Sequence, residues 1–84
     1  MASENRIKII CGVETIRFYK NEFGIAVVSV DKVKEGKPKT DKFNQIIIKG
    51  TMPQLVEGNP YVLVADYVED PKWGGQYNII SIYS

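Results

Sequence analysis

The chain has 84 residues, 44% of them hydrophobic and 25% charged, with a formal net charge of +1. That length makes one small domain, near the lower limit of what a single core can support, and the near-neutral balance gives no whole-chain electrostatic case for a nucleic-acid coat. With Cys11 as its one cysteine and no histidine, an intramolecular disulfide, a structural zinc site and histidine-based catalysis are out of reach. No cofactor is expected.

Residues 1–6 read as a short polar tail, and residues 7–84 as a single β-barrel domain. The tail lacks the long apolar core of a signal peptide, and no apolar run approaches the roughly 18 residues that cross a bilayer. The expected location is the cytoplasm, with no membrane partner. The first strand is expected from Ile7 to Lys20. Cys11 lies within it as either a small buried apolar residue or a reactive thiol. Gly12 is a natural bulge or bend where one strand serves both halves of a curled sheet. Asn21-Glu22-Phe23-Gly24 supplies a turn, with Asn21 and Gly24 the residues that tolerate positive φ. A second strand follows over Ile25–Val33, then a polar hairpin loop over Lys34–Lys42, then a third strand over Phe43–Lys49 ending at Gly50. Thr51–Gly58 is too short and too aperiodic for a helix; at most Pro53 starts a single helical turn. Pro60–Val68 and Gln76–Tyr83 are the fourth and fifth strands, Pro60 standing first in its strand because it has no backbone donor.

The pattern is all-β throughout, with short runs of Val, Ile, Tyr and Phe broken by Gly, Pro, Asn and Asp. Five strands with a reduced connection between the third and fourth give a small OB-like Greek-key barrel; an SH3-like barrel is the alternative. Ile46-Ile47-Ile48, Tyr61–Ala65 and Ile79-Ile80 are apolar on both strand faces. Either β-branched residues decorate the outside, or part of the outer wall is covered by a neighbouring domain or by self-association.

Catalytic patterns are missing: there is no GxxxxGK[ST], no GxGxxG and no Ser-x-x-Lys, and the carboxylates are scattered. This chain is not expected to be an enzyme by itself. Candidates for nucleic-acid binding are cations beside aromatic platforms. Arg17, Tyr19 and Lys20 end the first strand, and strict alternation places Arg17 and Tyr19 on one face, opposite Ile16 and Phe18. The hairpin adds Lys37 and Lys39 as phosphate-attracting cations, and Lys72 and Trp73 occupy the turn between the fourth and fifth strands. Each has a plainer reading. Trp73 caps the barrel end or touches a ligand; the lysines are a solvated tip or a phosphate contact; Arg17 and Tyr19 are an ordinary cross-strand pair or a binding surface.

The run Gly12-Val13-x-x-Ile16-x-Phe18-Tyr19-x-Asn21-Glu22-x-Gly24-x-x-Val27 resembles the N-terminal β-barrel of RecD-like helicases, the exodeoxyribonuclease V alpha-subunit-like proteins. Gly50-x-Met52-Pro53-x-Leu55-x-x-Gly58 and Tyr67-Val68-x-Asp70-Pro71-Lys72-Trp73-Gly74-x-Gln76-Tyr77 are similar to that family as well. The resemblance spans Gly12 to Ile82. The chain departs from the family pattern at Asp70, where histidine is usual, at Trp73, where tyrosine or phenylalanine is usual, and at Ala65-Asp66, where a glycine is common. Its hairpin is also longer.

The resemblance implies an OB-like accessory module of an ATP-dependent 5′–3′ DNA helicase or exonuclease, acting in DNA repair or recombination. Such a module guides single-stranded DNA or docks on the motor or a partner subunit. The Walker motif of such a motor lies downstream, so ATP hydrolysis is not assigned to this chain. The end at Ser84, straight after the last strand, leads to the expectation of an excised domain. A protein-interaction module without DNA contact, and a stand-alone single-stranded-DNA-binding protein, are the other two functions the residues allow.

Overall fold

The computed structural model describes residues 5–72 and 74–84, so Trp73 lies outside the described residues. Five strands form: β1 (Arg6–Lys20), β2 (Phe23–Glu35), β3 (Gln45–Thr51), β4 (Pro60–Asp70) and β5 (Gly74–Tyr83). They close a barrel in the order β1-β2-β3-β5-β4. All pairings are antiparallel except β3 with β5, where Ile48 faces Tyr77 and Lys49 faces Asn78. This is the Greek-key ring of an OB-fold. No described helix is long and apolar enough to cross a membrane.

Alternation places Ile7, Ile9, Cys11 and Val13 of β1 inside, with Ala26 and Val28 of β2, Ile46 and Ile48 of β3, Leu63 and Ala65 of β4, and Tyr77 and Ile82 of β5. The doubly apolar runs split as the pleat requires. Ile47, Val62 and Val64 face outward and are half-buried, and Ile80 is exposed. Cys11 is completely buried, and that burial pushes its thiol up to about 12. It is therefore the buried apolar residue and not a reactive thiol. A thiol reagent at neutral pH is expected to leave the native protein unlabelled and to modify Cys11 once denaturant is added; labelling at equal rates in both states would contradict this burial.

Alternation fails in the distal half of β1. Register shifts fall between Val13 and Thr15 and between Ile16 and Phe18, so Glu14 and Arg17 are extra residues. Each bulge resets the parity of the strand. Ile16 and Tyr19 therefore pack against the core while Phe18, 46% exposed, points outward. Arg17 and Tyr19 do not share a face, contrary to the expectation from strict alternation. Gly12 itself sits in regular register with Ser29 and is the last residue of β1 paired to β4. It marks the hand-over between the two halves of the barrel; the two extra residues of β1 lie beyond it, and the shifts before it come from extra residues in β2.

The turns differ from expectation in instructive ways. The two-residue loop between β1 and β2 puts Asn21 (φ 52) and Glu22 (φ 66) in the left-handed region, the conformation that matches strand twist in tight hairpins. Gly24 is not left-handed. A Cβ there would stand 2.7 Å from the Met52 sulfur and 3.0 Å from the Tyr19 ring, so those side chains would have to shift to admit one. β2 runs on to Glu35, and β3 starts at Gln45, two residues later than expected. Asn44 (φ 61) interrupts the strand, and its side-chain amide donates to the Val30 carbonyl at 2.7 Å. At the other end of the chain, Arg6 belongs to β1 and not to a tail. Its guanidinium donates to both carboxylate oxygens of Asp66, at 2.8 and 3.1 Å, and these hydrogen bonds hold the Asp66 carboxyl below its usual value.

Residues 52–59 form no helical turn at Pro53; the only turn there is at Glu57-Gly58. The segment is an extended plug. Met52 and Leu55 are buried in the core, and the Met52 amide donates to the Glu22 carbonyl at 2.8 Å. The Glu57 carboxylate accepts from the Ile16 amide at 3.0 Å, beside the bulged Arg17.

Candidate nucleic-acid interface

The outer face of β2 and β3 carries the candidate site. Pairing across the sheet places Phe18 beside Ile25, Ile25 beside Lys49, and Lys49 beside Asn78. The neighbouring row runs from Thr15 to Val27 to Ile47. A groove follows these rows, lined by Arg17, Phe18, Ile25, Ile47, Lys49 and Gln76. Its lining holds a guanidinium and an ammonium and no carboxylate, so it is locally cationic although the chain as a whole is near neutral. Phe18 meets Phe23 edge to face, with centroids 6.3 Å apart. The two rings leave the end of the groove at the β1–β2 turn apolar and exposed.

The structure scatters the described residues expected to bind nucleic acid. Arg17 enters the groove as the bulge residue, whereas Lys20 is not in the lining and pairs across the hairpin with Phe23. Tyr19 turns the other way: its ring packs on the core and its hydroxyl donates to the Met52 carbonyl at 3.0 Å. Lys37 and Lys39 lie in the loop 36–44. That loop is held by Asp41, whose carboxylate accepts the amides of Phe43 at 2.8 Å and Gln45 at 3.0 Å. The Lys39 amide donates to the Tyr77 hydroxyl at 2.8 Å, and its ammonium stands 4.2 Å from the centroid of the Tyr67 ring. Lys72 is exposed in the turn after β4, where its amide donates to the Asp70 carboxylate at 2.7 Å. Trp73, expected to touch a ligand or cap the barrel end, lies outside the described residues.

Sequence reasoning passed over Phe18, Ile25, Ile47, Lys49 and Gln76. Strict alternation groups Phe18 with Ile16, and the extra residue Arg17 separates the two, Ile16 turning in and Phe18 out. Lys49 carried a readable signal, a lone cation closing the apolar run Ile46–Ile48 on a strand with one inside face.

The family described as the OB-fold domain of ATP-dependent DNA helicase YrrC matches residues 6–84. The chain belongs to this family. The matched span begins at the first residue of β1, and the five-strand ring is the architecture the YrrC OB-fold description names. No curated protein and no solved structure matches the chain. The resemblance to RecD-like helicases thus rests on a helicase family whose OB-fold domain covers the whole barrel.

Proposed function

We propose that this chain is the accessory OB-fold module of a RecD-like, ATP-dependent 5′–3′ DNA helicase, acting in the cytoplasm on DNA under repair or recombination. In this reading the groove between the β1–β2 turn and the β4–β5 turn guides single-stranded DNA. One observation carries it: an exposed Phe18 flanked by Arg17 and Lys49, with apolar Ile25 and Ile47 between, on the β2–β3 face. OB-folds take oligonucleotides on that face. Bases stack on exposed rings without regard to sequence, and cations follow the phosphates.

A second reading is favoured by the outer side of β1 and β4. Ile10, Pro60, Tyr61 and Val62 line a shallow apolar depression beside Ser84, and Tyr83 is half exposed next to it. This wall suits docking on helicase motor domains, on a partner subunit or on a second copy.

Titration of labelled oligo-dT, followed by anisotropy at several salt concentrations, tests the first reading. The wild type is expected to bind with an affinity that falls as salt rises. Lys49→Gln is expected to flatten the slope of log K against log salt by about 0.7, the share of one phosphate contact on a single strand. Phe18→Leu is expected to weaken binding by about 1–3 kcal/mol, the worth of one base stack. No binding at low salt would overturn the DNA role and leave the docking wall as the functional surface.

A further inference from the structure

The loop 36–44 does more than span two strands, because it lays a cation on an aromatic ring at the edge of the groove. Tyr67 of β4 and Tyr77 of β5 are direct cross-strand partners, with ring centroids 5.3 Å apart at 65°. Tyr77 is buried, while Tyr67 is half-buried at the barrel mouth. Tyr67 lies across β5 only because position 75 is glycine: a Cβ there would collide with the Tyr67 hydroxyl and ring. The ammonium of Lys39 sits over the ring. The backbone of Lys39 is anchored by the hydrogen bond that its N–H donates to the Tyr77 hydroxyl, and its side chain extends from that anchor over the ring.

Tyr67, Lys39, Thr40 and Gln45 line a depression that includes Gly75 and Ile47. Ile47 also lines the groove on the β2–β3 face, and Gly75 adjoins the groove residue Gln76. The two depressions therefore adjoin at Ile47, with cations at Arg17, Lys49 and Lys39, and with the Asp41 carboxylate, which accepts the Phe43 and Gln45 amides, in the lining beside Lys39.

We propose that Tyr67 is a second base-stacking platform, covered by the Lys39 ammonium until single-stranded DNA displaces it. The proposal rests on the DNA-guiding reading of the groove and extends it by one nucleotide site. An ammonium over a solvent-accessible ring is held more weakly than a stacked base, so an incoming base takes its place. The displaced ammonium stays beside the ring because its backbone is anchored, and it pairs with the phosphate of the base now stacked on Tyr67. Thr40 and Gln45 supply a hydroxyl and an amide at the rim for the polar edge of any base. Lys39 thus trades a ring for a phosphate, and the loop 36–44 is the element that makes the exchange.

The test uses oligo-dT of about 3 and about 10 nucleotides, below and within the span one such barrel covers. The short oligomer fills the groove alone; the long one reaches Tyr67. Tyr67→Leu is expected to weaken the long oligomer by about 5- to 100-fold and to leave the short one unchanged. Tyr67→Phe, which keeps the ring, is expected to bind both like the wild type. Lys39→Gln is expected to flatten the salt slope by about 0.7 for the long oligomer only. In the unaltered protein, irradiation of a long oligomer carrying terminal 5-iododeoxyuridine is expected to cross-link Tyr67. Cross-links confined to the groove residues, or a Tyr67→Leu protein that binds the long oligomer like the wild type, would overturn the second platform and leave the groove reading standing. A wild type that binds neither length would overturn both.

Discussion

Gly36→Ala is expected to destabilise the domain by about 2–5 kcal/mol, combining the strain of a left-handed alanine with the cost of overpacking. Gly36 has φ 80, and a Cβ there would run into the backbone carbonyl of Arg6 and the side chain of Ile7. Neither obstacle can rotate away, because β2 ends at this point against the start of β1, with Lys8 opposite Glu35. Domains of this size hold about 0.05–0.15 kcal/mol per residue, so the substitution removes a large share of the total stability. Gly58 is the internal control. It has φ 88 with nothing within 4 Å of its virtual Cβ, so Gly58→Ala is expected to cost only the strain, about 1–2 kcal/mol. Urea denaturation reads both: the midpoint of Gly36→Ala should fall well below that of Gly58→Ala. Equal midpoints would mean that the β1–β2 closure yields at no cost.

Leu55→Ala is the second large effect, at about 2–5 kcal/mol for a buried leucine removed from a packed core. OB-like barrels usually carry a helix in the connection where this chain has the segment 52–59, and here Met52 and Leu55 fill the barrel end from an extended strap. The strap is fixed on both sides. The Gly58 amide donates to the Val13 carbonyl at 2.8 Å, and the Val56 amide to the Tyr61 hydroxyl at 3.0 Å. The neighbouring Val56 side chain is 54% exposed, so Val56→Ala is expected to stay within about 0.5 kcal/mol of the wild type. Thermal melts that placed both variants together would show that the strap plugs nothing.

These two sites also show which kinds of information the sequence carries openly. The strands were legible, because β-branched and aromatic runs between Gly, Pro and Asn have no other economical fold; their centres lie where the pattern puts them. The reduced connection was legible as well, since Thr51–Gly58 offers no helical periodicity. Its role as a plug was not, because two apolar residues in eight look like an ordinary loop until the barrel end they fill is known. The bulges at Glu14 and Arg17 were equally hidden. Nothing in Val13–Lys20 announces an extra residue, yet the two together turn Ile16 inward and part it from Phe18, as they part Arg17 from Tyr19. Gly24 lies outside the left-handed region, and the Met52 and Tyr19 side chains that crowd it come from elsewhere in the chain, which no local turn pattern announces. Arg17 was found from its charge. Lys49 and Ile47 became part of a site only once pairing brought β3 alongside Ile25 and Val27.

In the proposed function, single-stranded DNA lies on the β2–β3 face. The most direct test is to add oligo-dT to the 15N-labelled domain at low salt and map the amide signals that move. Shifts are expected to group at Arg17, Phe18, Ile25, Ile47, Lys49 and Gln76 and to fade as salt is raised. Shifts grouped instead at Ile10, Val62 and Tyr83, or none at all, would contradict it.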